Sequence, residues 1–342
     1  MLSRHAENLF WAGRYIERAQ DTARMLDVTF HEQIDAGPAG GERAWSDLLD
    51  VLHLDQSFAL TGEPLTSEAV TRFLVLDSEN PGAVVNAVYR ARENARSVRD
   101  QLSAELYEAF NECHLGLVGR DVESDLGQLP SELYAFVKQN CQRIIGTATE
   151  TLPRDDRWRF LMLGVLIERA EMTCRLLEVH VRRTLGAAGK PMGTTWNRVL
   201  DSASAAEAFV HDQSTRIEMR SVLGFLLLNR SFPRSVFYSL RAAEEHLAGL
   251  DQSETLSAPR RHLGRVRSDL EFREIGELVS GDVAGFLEEL QDRILHVAHL
   301  LATSYFRGAD LGELHLQELR GGPGSRDQLV HPGGLVLGGD AR

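Results

Sequence analysis

A glutamate–arginine pair recurs at a fixed offset in this 342-residue chain, inside a longer repeated stretch. GRYIERAQDTARMLDV at 13–28 and GVLIERAEMTCRLLEV at 164–179 lie 151 residues apart and share Gly, Ile, Glu, Arg, Ala, Thr, Arg, Leu and Val in register. In the first copy, the like charges Arg14 and Arg18 are four residues apart, a spacing that is unfavourable on an exposed helix face. We therefore expect the glutamates of both copies to pair with arginines of other helices.

Two roles are open to these charged groups. In the first, a partly buried Glu–Arg network holds two halves of the molecule in register. In the second, carboxylates and guanidiniums line a polar pocket for an amino acid or peptide. An enzyme of this second kind would use Glu17 or Glu168 as general base in amide-bond formation or transfer. The candidate binding residues of this group are Arg14, Glu17, Arg18, Glu168 and Arg169.

A second candidate lies in YRARENARSVRDQLSAELYEAFN at 89–111. There Arg92, Arg96 and Arg99 follow a 4,3 spacing with Glu93 beside them, which places three guanidiniums along one helix face. Such a face is usually solvated, but this chain has only 37 basic residues against 50 acidic ones. The arginine stripe therefore remains a candidate for binding a carboxylate, a phosphate or an acidic partner.

A third, weaker candidate is DRILHVAHL at 292–300, where Asp292, His296 and His299 share one helix face and could ligate a metal. Di-iron helical bundles use Glu-x-x-His on two helices, and this chain contains no such motif. Phosphate-loop, dinucleotide, zinc-protease and nucleophile-elbow motifs are absent as well. We therefore predict no cofactor and no standalone catalytic motif, and we keep metal binding only as the weakest alternative.

The charge balance restricts the partners. A net charge of −13 argues against a nucleic-acid binder, which needs a basic surface, and against a protein that binds anionic membranes. The longest apolar stretch, VLGFLLLN at 222–229, is too short to span a bilayer, and the charges among the first residues leave no uncharged apolar run of the kind that a leader segment contains. Three cysteines without a C-x-x-C pair fit small core residues in a reducing cytoplasm.

Helical periodicity runs through the whole chain as far as residue 308, and no run of alternating β-branched residues interrupts it. We predict an all-α fold of about ten helices. The first helix ends in DAGPAGGE at 35–42, and a long one runs from Pro81 to Leu117 with Asn80 as its cap. The remaining helices are predicted at 44–60, 66–76, 130–151, 154–185, 195–211, 215–229, 233–250, 258–280 and 282–306. The Gly-rich segment 309–342 is expected to be a disordered tail.

The repeat extends beyond its charged core. WSDLLD at 45–50 matches WNRVLD at 196–201 with the same shift of 151, and FLVLDSENPGAVV at 73–85 matches FLLLNRSFPRSVF at 225–237 with a shift of 152. Matching segments in the same order at nearly the same offset indicate a tandem duplication of about 1–150 and 151–308. We expect the two halves to pack about a pseudo-twofold axis in a single compact bundle.

The opening MLSRHAENLFWAGRYIERA resembles the N-terminal signature of the bacterial alpha-E domain family, and ENPGAVVNAVYRARENARSVRDQLSAELYEAFN resembles its second block. FPRSVFYSLRAAEEHL is similar to a third block, so the resemblance covers about residues 1–308. It implies an all-helical protein without an established activity, commonly encoded beside or fused to a circularly permuted ATP-grasp ligase and often near a transglutaminase-like protease. The expected role is an accessory partner that binds this ligase or its amino-acid or peptide substrate.

Overall fold

The computed structural model describes residues 1–128, 130–186, 193–213, 216–251 and 256–306. These residues form fifteen α-helices and one 3-10 turn and contain no strand, so the predicted all-α class is confirmed while the predicted number of about ten helices is too low. In chain order the helices are α1 (Ser3–Leu52), α2 (Asp55–Ala59), α3 (Ser67–Val75), α4 (Val84–Ser97), α5 (Ala104–Val118), α6 (Val122–Gln128), α7 (Pro130–Thr151), α8 (Asp156–Gly186), α9 (Gly193–Ser202), α10 (Ala206–Gln213), α11 (Met219–Leu228), α12 (Val236–Leu250), α13 (Ala258–Glu271), α14 (Ile275–Ser280) and α15 (Val283–Tyr305).

The two long helices α1 and α8 form the centre of the molecule and run side by side in the same direction. The Met1 amino group lies 3.8 Å from the Asp156 carboxylate, and the Glu17 carboxylate lies 2.7 Å from the Arg169 guanidinium. α4 and α7 pack on α1, with α5 between them, whereas α12 and α15 pack on α8, with α13 between them. α1 and α8 are therefore enclosed by helices on both sides, which explains why so many of their polar groups are buried.

Two glycines allow the backbones of α1 and α8 to touch. A Cβ atom on Gly13 would lie well under 3.0 Å from the Leu161 carbonyl oxygen, and one on Gly164 would lie equally close to that of Phe10. The same Cβ atoms would be 3.1 Å from the Val165 nitrogen and 2.9 Å from the Arg14 nitrogen. Glycine costs about 1 kcal/mol in a helix interior relative to alanine, and here it permits a close crossing.

The predicted end of the first helix at 35–42 is wrong, because α1 continues through this segment to Leu52. The helix does change direction there. Glu32 and Asp47 both bind the Arg198 guanidinium, each at 2.7 Å, although a straight helix would separate residues fifteen positions apart by about 22 Å. DAGPAGGE lies between these two residues and contains Pro and Gly, the residue types at which helices kink.

The long helix predicted from Pro81 to Leu117 is divided in two by residues 98–103. Ser103 caps the second part, since its hydroxyl accepts a hydrogen bond from the Leu106 N–H at 3.1 Å. Asn80 accepts from the Gly82 N–H in a turn, and α4 begins only at Val84. Helical periodicity continued across the break, because both parts bury a face against neighbouring helices.

Most of the predicted helices further along are confirmed, although 195–211 and 258–280 are each divided into two, and the short α6 was not predicted. Cys113, Cys141 and Cys174 are free thiols buried in the core, as expected. The tail predicted at 309–342 lies outside the described residues. Among the described helices, none is both long and apolar enough to cross a membrane.

Candidate functional site

Glu17 lies on the face of α1 that packs against α8, where its side chain is fully buried. It accepts two hydrogen bonds from Arg169, at 2.7 Å and 3.0 Å, and lies 3.1 Å from the Arg234 guanidinium. Arg234 directly precedes Ser235, the N-cap of α12, and thereby brings a third element to the pair. Glu17 is thus held by two arginines from the second half of the chain.

Glu168, its counterpart in the repeat, has the reciprocal arrangement. The carboxylate is fully buried and accepts hydrogen bonds from Arg14 and Arg18, both at 2.6 Å. Arg18 therefore binds Glu168 just as Arg169 binds Glu17. The prediction that both glutamates pair with arginines from another helix is confirmed.

Five further residues of this cluster were not predicted as site residues. Arg14 also donates to Glu171 at 2.6 Å, and Glu171 in turn pairs with Arg175 one helical turn away. Asp21 accepts from Arg24 at 2.6 Å and from Arg234 at 2.8 Å. Arg24 and Arg175 occupy matching positions of the two repeated stretches, which was a sequence sign of their importance. No sequence pattern indicated Arg234 as a partner. We call the ten residues the α1–α8 charge network: Arg14, Glu17, Arg18, Asp21, Arg24, Glu168, Arg169, Glu171, Arg175 and Arg234.

The electrostatics of the network favour charged carboxylates. Burial alone would raise the pKa of Glu17, but the charges of Arg169 and Arg234 outweigh it and lower the pKa to about 2. Glu171 behaves in the same way, because Arg175 and Arg14 outweigh its burial and bring its pKa to about 2. Both groups are therefore anionic at neutral pH and unsuited to accepting a proton from a substrate.

The predicted arginine stripe on α4 is separate from this network. Arg92 donates to Asn111 on α5 at 3.2 Å and pairs with Glu93, which also pairs with Arg96 at 2.6 Å. Arg99 follows α4 in the 3-10 turn, and its guanidinium lies 4.7 Å from the centre of the Tyr107 ring. Arg96 and Arg99 are exposed, so the stripe presents positive charge to solvent.

The structure gives little support to a metal site on α15. The His296 and His299 rings stack with centroids 6.0 Å apart, and His262 of α13 lies 4.7 Å from His296. Asp292 is exposed and has no place in this stack. Across the part of the chain that the structure describes, no group of three His, Cys, Asp or Glu side chains is arranged to hold a metal ion.

An open cleft of about 770 Å³, which the sequence did not indicate, lies beside α3 and α6. Phe58, Phe73 and Leu76 form its apolar part, and Arg72 and Glu123 pair at 3.0 Å on its rim. A smaller cleft of about 350 Å³ adjoins it through Leu76 and Glu123. Neither cleft contains a residue of the α1–α8 charge network.

The fold and this network define a class, namely an all-helical protein whose central pair of helices is joined by buried Glu–Arg pairs. Residues 1–306 match the model of the Alpha-E family, described as a predicted α-helical domain with a conserved ER motif. The chain belongs to this family. Glu17–Arg18 and Glu168–Arg169 are the two ER dipeptides within the paired stretches, and they bind each other across α1 and α8.

The chain is also similar to uncharacterized proteins of Mycobacterium bovis and Mycobacterium tuberculosis, at 26% and 25–26% identity over 360 aligned positions. These alignments cover 96% of this chain and 37% of each relative, so the chain spans little more than a third of the length of the relatives. No solved structure matches it.

Proposed function

We propose that this protein is a helical accessory partner of an ATP-grasp amide or peptide ligase, and that it binds the ligase or its amino-acid or peptide substrate. The observation that best separates a binding role from a catalytic one is the state of Glu17 and Glu168, both fully buried and each held by two arginines. A general base needs access to a substrate and a pKa near the working pH, and Glu17 has a pKa of about 2.

The ATP-grasp partner rests on the resemblance to alpha-E proteins, which also suggests a transglutaminase-like protease in the same cytoplasmic system. The relatives support a module that works with other modules, because the matched region occupies only 37% of their length. The arginine stripe of Arg92, Arg96 and Arg99 with Glu93 is the surface proposed to meet the ligase, since Arg96 and Arg99 are exposed to solvent and can pair with carboxylates.

We also propose that the two halves arose by duplication. Helices α4, α5 and α7 around α1 have counterparts in α12, α13 and α15 around α8, in the same order. The pairs Arg18–Glu168 and Arg169–Glu17 are reciprocal, as are the two glycine contacts of the crossing. These reciprocal contacts support a pseudo-twofold arrangement.

The proposal is tested by mixing this chain with the circularly permuted ATP-grasp protein of the same genome and measuring complex formation by calorimetry and size-exclusion chromatography with light scattering. We expect a stable complex that the double variant Arg96→Ala, Arg99→Ala weakens at least about ten-fold without a change in melting temperature. The control Arg182→Ala removes a similarly exposed arginine of α8, 51% exposed, and should bind normally. Absence of any complex would refute the partnership.

A second measurement separates a binding partner from a catalyst. Ligase turnover is followed with the wild-type chain and with Glu17→Gln, after confirming that the variant folds and still forms the complex. An accessory partner keeps product formation within a few-fold of wild type. Complete loss of product in a folded, bound variant would instead assign Glu17 to the chemistry.

A further inference from the structure

The α1–α8 charge network contains more positive than negative charge. Its six arginines face four carboxylates, which leaves two positive charges without a counter-charge inside the network. The most exposed side chains of the ten, Arg169 and Arg234, are only 14% and 13% exposed, so water cannot screen this surplus effectively. Two carboxylates further along these helices have cations of their own, since Asp27 of α1 pairs with Lys138 and Glu178 of α8 pairs with Arg182.

One of the two surplus charges belongs to the group of Arg14, Arg18 and Arg175 with Glu168 and Glu171, and unused hydrogen-bond donors lie in this same group. Arg14 Nη1, Arg18 Nη2 and Thr22 Oγ1 have no hydrogen-bond partner among the described residues. The three side chains belong to residues four positions apart on one face of α1 and are 0%, 7% and 1% exposed. Buried polar groups of native proteins are nearly always satisfied, so three neighbouring exceptions need an explanation.

Arg14 has one further favourable contact, because its guanidinium lies 5.7 Å from the Trp11 ring centre. Such a cation–π contact stabilises the charge but offers no acceptor to the N–H group. A water molecule would accept the hydrogen bonds and leave the charge uncompensated. An oxyanion would do both, and a guanidinium binds carboxylate and phosphate oxygens with strong, directional hydrogen bonds.

We propose that the face of α1 formed by Arg14, Arg18 and Thr22 binds a small oxyanion, the carboxylate or phosphate group of a ligand, between α1 and α8. Arg18 is the least enclosed of the three side chains, with 9% of its side-chain surface exposed. Burial lowers the pKa of Arg175; the charges of Arg18 and Arg14 lower it further, and those of Glu171 and Glu168 raise it. This inference is independent of the proposed ligase partnership, because it concerns the isolated chain.

The test is calorimetric titration of the isolated chain, at low and constant ionic strength, with inorganic phosphate, with L-glutamate as the amino-acid carboxylate, and with sodium chloride as the reference salt. We expect one phosphate or one glutamate per chain, with a rise in melting temperature that chloride does not reproduce. Binding of phosphate alone identifies a phosphoryl ligand, and binding of glutamate alone identifies a carboxylate ligand. Failure of both oxyanions to exceed chloride would overturn the proposal.

Thr22→Val localises the site, because valine has nearly the shape of threonine and lacks the hydroxyl. We expect affinity for the bound oxyanion to fall about ten-fold, the effect of one hydrogen bond to a charged group. Without oxyanion, the variant should be at least as stable as wild type, since an unsatisfied hydroxyl has been removed.

The matched control is Thr173→Val, at the equivalent position of the repeat, where the hydroxyl already donates to the Arg234 carbonyl oxygen at 3.3 Å. It should leave oxyanion affinity unchanged. Should Thr22→Val not fold, Arg18→Lys keeps the charge, removes Nη2 and is expected to weaken binding comparably. Oxyanion affinity unaffected by the Thr22 or Arg18 variant would place the ligand elsewhere and refute this site.

Discussion

The α1–α8 charge network and the α4 stripe pair the same side chains, glutamate with arginine, in different surroundings. Glu168 and Arg14 are fully buried, and their N–O distance is 2.6 Å. Glu93 and Arg96 show the same distance, but their side chains are 26% and 58% exposed. Distance alone therefore does not distinguish a structural ion pair from a surface one. The two pairs differ in whether water can solvate the charge that remains when its partner is removed.

Burial also determines how much stability is lost when one member of an ion pair is substituted. On α4, solvent can hydrate whichever partner remains, so the pair contributes little to stability and stays available for binding. Between α1 and α8, a remaining partner keeps its charge in a place with little water, and the penalty is large. We expect the first region to determine binding to other proteins and the second to determine whether α1 and α8 stay packed together.

Acidification should produce the largest loss of stability in the network. Glu17 and Glu171 have pKa values of about 2 in the folded chain against an ordinary 4.5, so the unfolded chain binds their protons first. The stabilisation is complete above pH 4.5 and disappears as the pH falls towards 2, on the order of 3 kcal/mol for each carboxylate. Burial and the charge of Arg198 lower the pKa of His180 to about 4, so that the decline begins below pH 6.5.

Denaturant unfolding between pH 7 and pH 2 measures this effect, and Glu171→Gln should flatten the curve below pH 4.5. The same series on Glu93→Gln serves as the control and should follow the wild-type profile closely. A wild-type stability that is constant from pH 7 to pH 3 would contradict the assignment of charged, buried carboxylates.

Glu168→Gln should have the next largest effect. The substitution keeps the shape of the side chain but leaves Arg14 and Arg18 without the charge they share. Breaking a buried ion pair by removing one partner costs about 3–5 kcal/mol in free energy of unfolding. Guanidinium chloride denaturation at pH 7 measures the difference, and a loss below about 1 kcal/mol would mean that water reaches the network and that the contrast with α4 is unfounded.

Gly13→Ala tests the crossing that brings the network together. The new Cβ would meet the carbonyl oxygen of Leu161, part of a backbone that cannot rotate away. We expect a loss of about 3 kcal/mol, because overpacking outweighs the gain of about 1 kcal/mol in helix propensity. Gly146→Ala is the matched control: this glycine lies in α7 with no other atom near its would-be Cβ, and the substitution should be neutral or slightly stabilising.

The helices were predictable where the apolar periodicity and the residues typical of helix ends, such as proline, agree. The predicted 130–151 and 154–185 correspond closely to α7 and α8, because Pro130 and Pro153 stand at or near their starts. The break between α4 and α5 was not predictable from periodicity, since both helices continue to bury apolar residues at helical spacing. Its structural sign is the cap at Ser103, which ends the break at residues 98–103.

For the site, the repeated stretch identified Glu17 and Glu168 as candidate residues. Their pairing with arginines of other helices was predicted from like charges at helical spacing. The repeat did not show that Asp21 meets Arg234, which is 213 residues away. Such a contact depends on how α12 packs on α8, and no local pattern encodes that packing. The burial of these groups depends on the fold, which no local pattern provides.

The smallest effect is expected for Glu93→Gln on α4, and it provides the contrast for Glu168→Gln with an identical chemical change. Glu93 is partly exposed, and burial, which raises its pKa, is outweighed by hydrogen bonds from Arg96 and Arg92, so the net pKa is lowered. Because water can solvate the arginines once the charge is gone, we expect a loss of about 1 kcal/mol or less, and less still in 1 M salt. The measurement is denaturation of both variants in parallel at low and high salt. The loss of unfolding free energy should depend on salt only for Glu93→Gln, since buried pairs are poorly screened. Equal losses in the two variants would show that exposure does not separate the two regions.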